Sequence, residues 1–206
     1  MSVTTERKTS TEIPAPSGQR ADFLQRTAVL IVAFTSGGAV MSYEFLAVRF
    51  LQRWFGSTLE VWAAEIAMVL AGLALGYSLG GILADRFQSW RVLGAMLFMG
   101  GFTALFMEKL GDLSGQWLVQ VDQARQWHPS IGAFLSSFLP LLFLGTVMPQ
   151  TIRLHVRRLE RVGHSTGWIA ASSTLGSIAG VLFTVHLLFP LIGVRECLYT
   201  VAGILM

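Results

Sequence analysis

From position 66 to 84 the chain runs without a single charged side chain, and the segments 27–43, 92–107, 131–152 and 167–193 are likewise free of charge or nearly so. A helix that crosses a bilayer needs about 20 mostly apolar residues, with a usual range of roughly 17–25. Only one architecture suits such a chain. It predicts an all-α, polytopic transmembrane helical bundle. The composition agrees, being 53% hydrophobic and 13% charged with a mean hydropathy of +0.59, where soluble domains carry about 25% charge.

The expected helices cover about 27–50, 61–84, 91–108, 131–152 and 167–193, with a partial sixth over 196–206. Residues 197–206 are apolar but supply about half of a crossing at 1.5 Å per residue. The chain therefore reads as the front part of a longer protein, or else as a bundle that buries a short sixth helix. Residues 1–22 hold Ser, Thr, Pro and charge without an apolar stretch. They read as a disordered cytoplasmic tail rather than a cleavable signal, leaving 23–206 as the membrane domain. With the N-terminus inside, ten Lys and Arg fall on the inner face and five on the outer, the asymmetry expected of cytoplasmic loops. Between the third and fourth spans, Leu113, Trp117, Leu118, Val121 and Trp127 recur near helical spacing. That pattern predicts an interfacial amphipathic segment over 112–127, with tryptophans at headgroup depth.

A net charge of +3 without a basic cluster excludes a nucleic-acid partner. One cysteine, Cys197, excludes a disulfide framework and a Cys-based zinc site. The lipid bilayer is the first partner. Other membrane subunits follow, because Gly72, Gly76 and Gly80 recur every four residues in the second helix, and Gly176 and Gly180 repeat the spacing in the fifth. Such ladders form grooves that let a neighbouring backbone approach closely.

Four segments are more specific. SGGAVMSYEFLAVRFLQRWFGS (36–57), AGLALGYSLGGILADR (71–86), FLPLLFLGTVMPQTIRL (138–154) and GWIAASSTLGSIAGVLFTVHLLFPLIG (167–193) resemble, in this order, the membrane domain of the bacterial fused membrane–spermidine synthase family. The chain departs from that pattern at Ala170 and Ser173, where Tyr and Asn are usual, and at Glu65, where an apolar or small residue is usual. The resemblance implies residence in the bacterial inner membrane and a bundle similar to half of a major facilitator transporter. It also implies that a soluble aminopropyltransferase domain would follow, so a longer parent would be the enzyme. No glycine-rich nucleotide loop or acidic catalytic cluster occurs in these residues. In major facilitators the turn matching GGILADRFQSWR carries an Asp-Arg pair that binds neighbouring helix ends. Asp85, Arg86 and Arg91 stand at those positions. The plainer reading, a positively charged cytoplasmic turn, stays open beside it.

An acid in hydrocarbon is costly, so each needs a reason. Glu44, Arg49, Arg53 and Glu65 are expected to form an intramembrane charge network joining the first two helices. The competing reading is an outward acidic pocket for a cation such as a polyamine, or for proton relay. His186 stands alone in the fifth helix as a weak candidate ligand for haem or chlorophyll, and its ordinary fate is a hydrogen bond. No cofactor is implied otherwise. Two functions follow. One is a transporter-like membrane domain of a spermidine-synthase-like protein. The other is a non-enzymatic accessory subunit docked on an electron-transfer or light-harvesting complex.

Overall fold

A computed structural model describes residues 16–121, 125–155 and 162–206, with side chains from residue 23 onward. Among the described residues seven α-helices follow in order: α1 (Pro16–Phe55), α2 (Leu59–Arg86), α3 (Trp90–Ala104), α4 (Met107–Gln120), α5 (His128–His155), α6 (Val162–Phe183) and α7 (Phe189–Leu205). A 3-10 turn at Arg125–Trp127 precedes α5, and a π-helical turn at Thr184–Leu188 joins α6 to α7. No strand occurs among the described residues. The protein is an all-α membrane bundle. Phe23–Phe55, Leu59–Arg86, Arg125–His155 and Val162–Leu205 are each long and apolar enough to cross a bilayer.

Helix ends follow local chemistry. Gly56 closes α1 with φ +77, and its N–H donates to the Gln52 carbonyl at 3.0 Å. Thr58 then caps α2 by accepting from the Val61 N–H, the usual role of a hydroxyl at an N-cap. Ser89 does the same for α3 through the Arg91 N–H.

Three expectations need correction. Residues 16–22, read as part of the disordered tail, are the first turns of α1. Proline is well suited to the first helical position because its missing N–H would be unpaired there anyway. Residues 1–15 lie outside the described residues. The third span, expected over 91–108, stops at Ala104, where the chain bends by 40° into α4. The segment 112–127 does more than float at an interface. Its helix starts at Met107 and buries Met107, Glu108, Ser114, Gly115 and Leu118 against the bundle, leaving Leu113 and Trp117 exposed. Asp122, Arg157, Arg158 and Arg161 lie outside the described residues.

The last segment is the least ordinary. Gly193 takes φ 83 and ψ 174, a conformation open to glycine but strained for L side chains. The chain reverses there, and residues 194–205 run back down the bundle. Ala202 reaches Gly101 of α3, while Arg195 reaches Glu108 of α4. Cys197, Leu198, Val201, Ala202 and Leu205 join Tyr43, Leu46, Phe50, Leu141 and Leu144 in the largest buried cluster. The short apolar segment thus packs one face into the core, while Tyr199 and Ile204 stay on its exposed face.

Candidate functional site

Two tight helix pairs frame the interior. Helix α2 runs along α5, and the glycine ladder is the contact. A Cβ at Gly72 would lie 3.1 Å from the Phe138 carbonyl, one at Gly76 2.8 Å from Gly145 Cα, and one at Gly80 2.6 Å from Thr146 Cα. Helix α6 runs along α1 in the same way, with Gly176 against the backbone of Phe34 and Gly180 against Gly38. Hydrogen bonds lock the second pair. Ser172 donates to the Leu30 carbonyl at 2.9 Å, Ser177 to the Gly37 carbonyl at 3.0 Å, and Thr184 to Ser42 Oγ at 2.9 Å.

Between these pairs lies a cavity of about 300 Å³ walled by α1, α2, α5 and α6. Ser36, Tyr77, Ser173, Thr174 and Ser177 bring hydroxyls to it, and no charged side chain lines it. Most of those hydroxyl protons are already committed. Ser36 donates to Ala33, Thr174 to Ala170 and Ser177 to Gly37 or Ser173 carbonyls, at 3.0–3.1 Å. The wall therefore offers oxygen lone pairs throughout, and the hydroxyls of Tyr77 and Ser173 can donate as well. A second cavity, of about 380 Å³, opens between α1, α6 and α7 and is lined largely by apolar groups, including Phe34, Phe183, Leu188 and Ile204. Neither cavity was legible in advance, because serines at helical spacing look the same whether they pack or line a space.

The expected charge network of Glu44, Arg49, Arg53 and Glu65 does not form. Arg53 reaches outward to Asp112 of α4 at 3.6 Å, and the Trp54 ring N–H donates to the same carboxylate at 3.0 Å. Arg49 lies over the rings of Phe45 and Phe189 at 5.8 and 6.0 Å, a cation–π arrangement. Glu65 is fully buried, and neither carboxylate oxygen has a hydrogen-bond partner. Depth separates them. Glu65 is level with Tyr43 and Ser137, six residues before Arg49 on α1, which is about 9 Å at 1.5 Å per residue.

A buried acid does find a partner elsewhere, in a largely exposed arginine. Glu108 of α4, 4% exposed, holds the Arg195 guanidinium and accepts from the Tyr199 hydroxyl at 3.3 Å. Sequence reading missed it because the partners stand 87 positions apart and meet only through the reversal at Gly193. At the opposite end Asp85 meets Arg153 of α5 at 3.6 Å, with both side chains largely exposed. Arg86 and Arg91 flank that turn. His186 lies on an exposed face of the π turn, its Nδ1 3.1 Å from the Leu182 carbonyl. Among the described residues no three His, Cys, Asp or Glu gather as a metal site.

No family model, curated protein or solved structure matches this chain.

Proposed function

We propose that the chain is a transporter-like, multi-pass membrane domain of the bacterial inner membrane, with its N-terminus cytoplasmic. The observation behind this reading is the hydroxyl-lined cavity at the crossing of α1, α2, α5 and α6. The space is a cleft open on one side, where Tyr77 and Thr174 are exposed, and hydroxyls line much of it. The resemblance of residues 36–193 to spermidine-synthase-like membrane domains and to half of a major facilitator points the same way.

The lone pairs of the wall and the uncommitted hydroxyls of Tyr77 and Ser173 suit a solute that both donates and accepts hydrogen bonds. A polyamine brings donors but also charge, and no carboxylate lines this wall to balance it. We therefore assign an uncharged solute such as an amide or polyol.

A solute path must be reachable from water. Ser173→Cys, in a Cys197→Ser background, should react with a membrane-impermeant thiosulfonate in intact vesicles. A cysteine there that stays unreactive from both sides overturns the reading. Gln116→Cys and Ser165→Cys report orientation in the same assay. Labelling of Ser165→Cys but not Gln116→Cys from outside intact cells would invert the topology.

A docked accessory subunit is the second reading. What favours it is α6, where only Ile169 and Gly176 are buried and Trp168, Leu175, Ile178 and Leu182 face outward. Native electrophoresis of solubilised membranes should then show a band well above 22.5 kDa plus bound detergent. Migration as the bare chain would remove this alternative.

A further inference from the structure

Among the described residues, Glu65 is the fully buried acid that no ion pair accounts for. It projects from α2 into the packing between α1 and α5, with both oxygens free of hydrogen bonds. Two of the three hydroxyls around it have spent their protons. Tyr43 of α1 donates to the Ser136 carbonyl at 2.9 Å. Ser136 Oγ donates to the Gly132 carbonyl at 2.8 Å and lies 3.3 Å from Ser137 Oγ, leaving the Ser137 proton as the one that can turn to Glu65. Apart from Ser137, the oxygens around Glu65 thus present acceptors. An ionised carboxylate is itself acceptor-only, whereas a carboxylic acid supplies one O–H donor.

Charge argues the same way. The charged group facing Glu65 from α1 is Glu44, which has the same sign. From α5 come only the uncharged serines, and α2 itself has no charged residue within a turn on either side. Arg49 and Arg53 are occupied by aromatic rings and Asp112. An unpaired buried carboxylate is among the costliest groups a fold can hold, and the close packing around a wholly inaccessible side chain leaves no visible room for a hydrated metal ion.

We propose that Glu65 is an intramembrane proton-binding site, loaded when α2 is closed on α1 and α5. Release follows parting of those helices. The O–H bond breaks, the proton passes to entering water to give hydronium, and the carboxylate left behind is hydrated. Reclosure requires the proton back. The site goes beyond the solute cavity and does not depend on it, since Glu65 does not line that cavity.

Infrared difference spectroscopy of purified protein in lipid nanodiscs, wild type against Glu65→Gln at neutral pH, reads the carboxyl directly. The expected result is the loss of one carboxylic-acid C=O band in the variant, with that wild-type band unchanged by added NaCl. A carboxylate stretch in its place overturns the proposal. So does an acid band that NaCl abolishes, which would make this a sodium site. Circular dichroism checks that Glu65→Gln is folded. If it is not, Tyr43→Phe keeps the acid and alters its surroundings. It should displace the acid band, and a difference spectrum without one refutes the site.

Discussion

Replacing Gly76 by alanine should weaken the bundle, while the same change five residues on, at Gly81, should not. A methyl at Gly76 would meet the Leu142 carbonyl oxygen and lie 2.8 Å from Gly145 Cα, whereas at Gly81 nothing lies within 4 Å. The obstacle at Gly76 is backbone, so no rotamer change relieves it. Ordinary contact begins at 3.4 Å, so α2 and α5 must part by at least 0.6 Å there (3.4 less 2.8). A gap of roughly 0.5–1 Å forfeits about a quarter to a half of each dispersion contact beside it, and overpacking of this kind costs about 1–3 kcal/mol. Alanine returns up to about 1 kcal/mol of helix propensity relative to glycine in soluble hosts. The net expectation is a loss of about 1–2 kcal/mol for Gly76→Ala and no loss for Gly81→Ala. Reversible unfolding in mixed detergent micelles, followed by helical circular dichroism, measures both. Equal stability of the two variants would refute the claim that the ladder is a backbone-to-backbone contact.

The α1–α6 pair should respond alike, because a methyl at Gly176 strikes the Phe34 backbone; Gly176→Ala should lower the thermal midpoint, and Gly167→Ala, with open space around it, should not. Arg195→Leu should destabilise more than Arg195→Leu combined with Glu108→Gln, since the single change strands a buried carboxylate; thermal melts that rank the two the other way would show that Glu108 finds water. Asp85→Asn should leave stability within error in the same assay, because its pair with Arg153 is exposed and pairs of that kind contribute little.

How far each feature could be read in advance depended on whether its cause is local. Apolar length is local, so the spans around 27–50, 61–84 and 131–152 reappear as the middle parts of α1, α2 and α5, lengthened at both ends by turns that hydropathy does not mark. Small residues four apart define a helix face by themselves, which is why Gly72, Gly76 and Gly80 could be placed on one groove. That the groove holds α5, running parallel to α2, is a matter of tertiary packing.

Charge partners depend on depth, crossing and chain reversal. Glu65 and Arg49 are near in sequence terms yet sit at different depths, while Glu108 and Arg195, separated by most of three helices, share one ion pair. The reversal at Gly193 that joins them rests on a single positive φ, and the sequence Leu-Ile-Gly-Val does not distinguish a sharp turn from a tolerated helical glycine. Sequence alone determined an all-helical chain with faces that permit close approach, because length and spacing are properties of one helix. Only the tertiary structure decided which acid is paired, which is stranded and where the hydroxyls enclose a space, because those are relations between helices.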